Sequence, residues 1–190
     1  MIEQLPTRLD GLILLQPTVH GDARGFFVET FRRDAYRAAG IEVEFVQDNH
    51  SRSARGTLRG LHFQHRPGQP KLIRVARGSI YDVVVDIRPG SATFGQYEAF
   101  ELDDVHHRQL YVPIGFGHGF CVLSEVADVA YRVGSPYNSS EERGIAWDDP
   151  ELAIPWPVDD PVLSRRDQHN PTMREAVAAL GPDRAGTSAP

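Results

Sequence analysis

The run Gly56-Thr57-Leu58-Arg59-Gly60-Leu61-His62-Phe63-Gln64, with Lys71 after it, puts a lone imidazole among cations on a stretch that reads as sheet. A second imidazole, His118, stands in Pro113-Ile114-Gly115-Phe116-Gly117-His118-Gly119-Phe120. Imidazole offers two chemistries near neutral pH, general-base catalysis and metal ligation. A third candidate is the acid pair Asp82 and Asp86, on one face of a strand. Four strand residues separate such carboxylates by roughly 13 Å, too far for shared acid-base work. Salt bridges to Arg74 or Arg88 suit them better.

Gly56-x5-His62 and Pro113-x-Gly115-x-x-His118 resemble the two cupin motifs, and two such segments facing inward imply a small jelly-roll barrel. In a metal-binding cupin the first motif continues His-x-His and then supplies a glutamate. Here the second histidine is Gln64, and the acidic position is approached only by Lys71, an ammonium with donors and no lone pair. His62 and His118 are too few for a closed site. The pattern reads as a metal-free, cofactor-free barrel that holds an imidazole base in a ring of cations.

The elements that must position these groups are short. A strand is expected at Leu12 to Leu15, a turn through His20 to Ala23, a strand from Gly25 to Phe31, and a helix from Asp34 to Ala39 ended by Gly40. Glu44 to Ser53 alternates polar residues, which sets Gln47, Asn49 and Ser51 on one strand face. Leu72 to Val75 and Ile80 to Arg88, joined at Arg77-Gly78-Ser79, have a hairpin's signature. Further strands are expected at Tyr97 to Leu102, Arg108 to Val112, Gly119 to Leu123 and Val129 to Val133. Past Tyr137, Trp147 and Trp156 need burial, so that segment should wrap the barrel. The inventory is all-β: a cupin-type jelly roll with a few short helices and a C-terminal extension.

The chain's 190 residues suit a single domain over residues 1–180, with 181–190 a loose tail. A formal charge of −6 with an isoelectric point near 5.7 argues against a nucleic-acid-binding surface while leaving room for a local basic pocket. Any phosphate must be held locally. Cys121 is the single cysteine, so no intramolecular disulfide is possible, which fits a reducing cytoplasm. The N-terminal stretch has only the short apolar run Leu12 to Leu15, which suits neither a signal peptide nor a membrane span.

A wider set of residues carries a more specific resemblance. Asp22-x-Arg24-Gly25-x-Phe27-x-Glu29, Gln47-x-Asn49-x-Ser51, Leu58-Arg59-Gly60-Leu61-His62, Gln69-x-Lys71-Leu72, Asp82-Val83-x-Val85-Asp86-x-Arg88, Gly117-His118-Gly119-Phe120 and Leu163-Ser164-x-x-Asp167 together resemble the dTDP-4-dehydrorhamnose 3,5-epimerases over residues 5 to 173. The resemblance implies His62 as general base, Asp167 as its orienting carboxylate, Tyr131 as acid, and Lys71 with Arg59 beside the developing enolate. It implies diphosphate and sugar contacts at Arg24, Gln47, Asn49, Arg59 and His118, and nucleotide contacts at Glu29, Glu142 and Arg166. Tyr137 would stack on thymine, and Phe26 joins the substrate-binding set. Arg166 stands where relatives usually have lysine.

The implied reaction is epimerisation of dTDP-4-dehydro-6-deoxy-D-glucose at C3 and C5 by a homodimer, with the first strand able to complete a neighbour's pocket. Three other readings stand beside it: a 3- or 5-mono-epimerase of antibiotic deoxysugar pathways, a non-catalytic sugar-nucleotide-binding cupin, and a metal-dependent cupin oxygenase.

Overall fold

The computed structural model describes residues 2–181. In chain order it contains β1 (Ile2–Leu5), β2 (Ile13–Pro17), β3 (Val19–Asp22), β4 (Gly25–Val28), α1 (Arg33–Ala38), β5 (Gln47–Ala54), β6 (Leu58–Gln64), β7 (Lys71–Arg77), β8 (Ser79–Asp86), β9 (Tyr97–Asp103), β10 (Gln109–Val112), β11 (Phe116–Val122), β12 (Val126–Val133), β13 (Glu142–Gly144) and α2 (Met173–Ala178). Six strands form one sheet in the order β1-β2-β10-β7-β12-β5, and five form a second in the order β13-β6-β11-β8-β9. β3 and β4 pair only with each other. Every pairing between named strands is antiparallel. The expected all-β architecture is present.

Strand periodicity explains where the core sits. Ile73 and Val75 on β7, Ile80 and Val84 on β8, Phe116, Phe120 and Val122 on β11, and Val129 on β12 are alternate residues that meet between the sheets. Lys71, Asp82, His118 and Tyr131 fall in the same inward rows, so the interior is apolar over part of its length and polar over the rest. The outward residues Leu61, Phe63, Val83 and Val85 are covered by Ile145, Leu152 and α2, and Trp156 packs edge-on against Tyr81. The C-terminal segment thus wraps the five-stranded sheet, as the two tryptophans implied. On the other sheet, α1 buries Tyr36 against Leu15, Leu72 and Tyr111.

Several local expectations are corrected. β7 and β8 are not a hairpin: β7 pairs with β10 and β12, β8 with β9 and β11, and the chain changes sheets at Gly78. Gly78 has φ +80, and a Cβ there would strike the Val126 carbonyl oxygen and Ser124 Oγ, so only glycine fits this corner. Residues His20 to Asp22 are strand rather than turn, and the reversal falls at Ala23 and Arg24, where Asp22 Oδ1 accepts the Arg24 backbone N–H at 2.8 Å. The strand begun at Gly25 stops at Val28. The strand expected at Leu12 to Leu15 lies at Ile13–Pro17 and is paired within its own chain by β1 and β10.

α1 begins one residue early, and Gly40, with φ +90, ends it as expected. α2 was not expected, although Thr172-Met173-Arg174-Glu175 is a capping box whose Thr172 side chain accepts the Glu175 N–H. Apart from Gly181, the expected tail lies outside the described residues.

Candidate active site

The inward polar rows open into a cavity of about 650 Å³ between the two sheets. Its walls include Gln47, Asn49 and Ser51 from β5, Arg59 and His62 from β6, Lys71 from β7, His118 from β11, Tyr131 from β12, Tyr137, Glu142 and, from the C-terminal segment, Ser164, Arg166 and Asp167. The expectation that Gln47, Asn49 and Ser51 share a face holds, and that face is the cavity wall.

His62 and His118 are direct partners across β6 and β11, so the two motif strands lie side by side. The pairing is tight because glycine faces glycine. A Cβ on Gly60 would lie 2.5 Å from Gly119 Cα and 2.9 Å from the His118 carbonyl oxygen.

His62 Nε2 lies 2.6 Å from Asp167 Oδ1. Asp167 is buried, donates its backbone N–H to Ser164 Oγ at 3.1 Å, and accepts from Asn170 Nδ2 at 3.4 Å. Burial pushes its carboxyl up, but the His62 hydrogen bond and charge, with Ser164 and Asn170, outweigh this and hold it below the ordinary value. With the Nε2 proton donated to the carboxylate, the lone pair is left on Nδ1, the state a base requires. The segment carrying Asp167 is tied down upstream by the bridge between Val162 and Thr57.

Tyr131 reaches the cavity from the sheet opposite His62. Burial raises its phenol, Arg59 lowers it, and Glu142 raises it again, so it is protonated at neutral pH. Burial pulls the Lys71 ammonium down to about 8 against the carboxylates of Glu142 and Asp82, which pull it back up.

A polar chain runs along the rim. Gln47 Nε2 donates to Asn49 Oδ1 at 2.8 Å, Tyr137 N–H donates to Gln47 Oε1 at 3.2 Å, and Tyr137 Oη–H donates to Glu142 Oε2 at 2.9 Å. Arg166 donates to the same Glu142 oxygen. Burial raises Glu142, but Arg166, Tyr137 and His62 outweigh it and keep the carboxyl below its ordinary range.

Gln64, at the place of a metal-ligating histidine, is structural: its amide donates to Ser135 Oγ and the Pro136 carbonyl and accepts the Asn138 N–H. No three His, Cys, Asp or Glu side chains among the described residues are grouped to hold a metal ion.

Arg24, Phe26 and Glu29 do not line this cavity. Arg24 is paired with Asp22 and Glu29 with Arg32, on and beside the β3–β4 hairpin, whose Phe26 and Phe27 are 60% and 71% exposed. Asp86 does bridge to Arg88, as anticipated, with Nη2 at 2.7 Å. Asp82 instead meets His118, Nε2 to Oδ2 at 2.8 Å. Ser164 and Asn170 brace Asp167; the first stands in the motif Leu163-Ser164-x-x-Asp167 with no role assigned to it, and the second was not singled out in the sequence. Its place three residues before the aspartate was the signal for the first, and nothing local marked the second.

The sequence profile of the dTDP-4-dehydrorhamnose 3,5-epimerases matches residues 6–175. The chain belongs to the dTDP-4-dehydrorhamnose 3,5-epimerase family. A family member from Pseudomonas aeruginosa is 49% identical over 167 residues, covering 87% of this chain and 92% of the relative. The dTDP-4-dehydrorhamnose 3-epimerase of Streptomyces niveus is 41% identical over 173 residues, covering 90% and 84%. The crystal structure of the dTDP-6-deoxy-D-glucose-3,5-epimerase of Legionella pneumophila in complex with dTDP-4-keto-L-rhamnose superposes with a TM-score of 0.91 at 43% identity, over 95% of this chain and 97% of that one. The cupin-type barrel of this family is the fold described above.

Proposed function

We propose that this protein is a dTDP-4-dehydrorhamnose 3,5-epimerase, which inverts C3 and C5 of dTDP-4-dehydro-6-deoxy-D-glucose to give dTDP-4-dehydro-L-rhamnose. The observation that carries the reading is the pair formed by His62 and the buried Asp167 on one side of the cavity, faced by Tyr131 from the opposite sheet. Both C3 and C5 flank the C4 ketone, so a proton on either carbon is acidified by the same carbonyl. His62 removes that proton while Asp167 stabilises the imidazolium formed. The electron pair moves onto the C4 oxygen, beside Lys71 and Arg59, where one well-placed donor is worth about 3 kcal/mol. Tyr131 returns a proton to the opposite face, and exchange with solvent restores both groups.

Arg59 suits the diphosphate through its guanidinium fork. Gln47, Asn49 and His118 supply further donors and acceptors, and Tyr137, exposed at the rim beside Glu142 and Arg166, offers a ring to the thymine. The protein works as a homodimer in which Arg24, Phe26 and Glu29 serve the second copy's cavity, an arrangement supported by their absence from the lining of their own. We place it in the cytoplasm, on the single cysteine and the nucleotide-sugar substrate.

The test is turnover in D₂O followed by NMR, with a coupled ketoreductase to trap the product. Deuterium at both C3 and C5 is expected, and Tyr131→Phe should exchange its substrate proton faster than it inverts configuration. Label at C3 alone would move the protein to the mono-epimerase reading, which the likeness to the Streptomyces niveus enzyme keeps in view. No label at either carbon, with nucleotide bound, would make it a binding protein.

A further inference from the structure

Asp167 opens a single 3₁₀ turn, Asp167–His169, and Asn170 closes it. Three residues per turn bring side chains i and i+3 over one another, so Asn170 falls on the same side as Asp167. Pro171 disfavours helical backbone at the residue before it, and Asn170 is extended, at φ −64 and ψ 142. The backbone that follows is pinned: the Pro171 carbonyl accepts the Ala146 N–H at 2.7 Å, and the Met173 N–H donates to Asp149 Oδ2 at 2.6 Å.

The Asn170 carboxamide lies against Gly144 of β13, the strand partner of His62. A Cβ on Gly144 would overlap that amide, and the three atoms nearest the Cβ all belong to Asn170. Gly144 has no positive φ, so what glycine supplies there is room for Asn170 rather than backbone freedom. Asp167 Oδ1 takes both His62 Nε2, at 2.6 Å, and Asn170 Nδ2, at 3.4 Å. The carboxylate selects the amide nitrogen because only the nitrogen carries protons. Four residues thus close a ring, from His62 to Gly144 across the strands, on to Asn170 by packing, and through Asp167 back to His62 by hydrogen bonds.

We propose that Asn170 is a positioning residue: seated on Gly144, its amide holds the Asp167 carboxylate aimed at His62 Nε2. Its part in catalysis rests on the function proposed above. Asn170 is not among the residues that line the cavity, so it acts through Asp167.

Three variants separate the donor from the packing. Asn170→Ala removes both. Asn170→Asp keeps the shape but turns an acceptor and a like charge toward Asp167. Gly144→Ala leaves Asn170 in the chain and displaces its amide from the seat. Each should lower kcat by about three- to tenfold, the worth of one hydrogen bond, with KM near the wild-type value. The aspartate variant should lose at least as much as the alanine one. In Gly144→Ala/Asn170→Ala the overlapping atoms are gone, so the loss should equal that of Asn170→Ala alone, whereas independent effects would multiply. Asn170 is only half-buried, so its two variants carry the test if Gly144→Ala does not fold.

Protein labelled with ¹⁵N-histidine gives a readout that needs no substrate. The Nε2–H resonance that His62→Ala abolishes should move in all three single variants, while that of His118, bonded to Asp82 at 2.8 Å, should stay. Wild-type kcat and an unmoved His62 resonance in Asn170→Asp would overturn the proposal, reduce Asn170 to packing and leave the epimerase reading intact. Multiplied losses in the double variant would overturn the shared seat. A moved resonance in a protein that epimerises nothing would reject the epimerase reading and leave the positioning of Asp167 standing.

Discussion

At the scale of the residue, the dyad makes a demand that a merely structural histidine would not. His62 is partly exposed to the cavity while Asp167 is buried behind it, so the carboxylate reaches the chemistry only through the ring. His62→Ala should therefore lower kcat by about 10²- to 10⁴-fold with little change in nucleotide affinity. Asp167→Asn keeps the shape but can donate to Nε2, favouring the wrong tautomer. It should fold, lose most activity, and alter the acid limb of the pH-rate profile, because the imidazolium loses its counter-charge. Steady-state kinetics with dTDP displacement measured in parallel separates these effects. Activity of His62→Ala within about threefold of wild type would remove it from the mechanism.

At the scale of the element, what matters is how closely β6 and β11 approach. Gly60 has φ +134 and its missing Cβ faces Gly119 Cα, so alanine meets both backbone strain and backbone atoms that cannot swing aside. Gly56, at φ +76 with nothing within 4 Å of a Cβ, isolates the strain alone. Gly60→Ala should thus be the more destabilised of the two, by more than about 1 kcal/mol, or a Tm lower by roughly 2–4 °C or more. Its kcat should fall as well, because the same displacement moves His62 against His118. Thermal melts of both alanine variants test the comparison, and equal melting temperatures would mean that the strands yield.

At the scale of the whole molecule, one member of the acid pair contributes to stability. Asp86 is fully buried and accepts from the Arg88 guanidinium and backbone and from the hydroxyls of Ser91 and Thr93. Burial raises its carboxyl, but these bonds outweigh it and bring it to about 2. A folded-state value below the unfolded one means stability that is present above about 4 and lost as pH falls toward 2, on the order of 2 kcal/mol. Urea melts across that window should show this loss in wild type and a flatter dependence in Asp86→Asn, which should also be less stable at pH 7.

Assembly is tested by mixing inactive Arg24→Ala with inactive His62→Ala. If the hairpin serves the second copy, random re-pairing puts one intact site in each mixed dimer and restores about a quarter of wild-type activity. No recovery after verified exchange would keep Arg24 within its own chain.

The residue types and short spacings of this chain determined much of what it is. Period-two apolar runs dictate strands with one face inward, Gly56-x5-His62 and Pro113-x-Gly115-x-x-His118 mark the two motif strands, and Gln64 and Lys71 depart from the ligand set of a metal-binding cupin. Alternation alone placed Gln47, Asn49 and Ser51 on a common face. It could not say which strands pair, because near-continuous apolar strands such as β7 and β8 look alike whether they neighbour each other or face each other across a core. Hence an expected hairpin is a corner between sheets at Gly78.

Long-range juxtaposition was likewise beyond local pattern. Asp167 meets His62, and Asp82 meets His118 rather than an arginine, only because the chain wraps back and the sheets stack. The resemblance supplied the first of these pairs and not the second. Hydrophobic periodicity records which side of a strand is buried, whereas the partner of a buried charge is chosen by packing between strands distant in sequence, and that the tertiary structure alone decides.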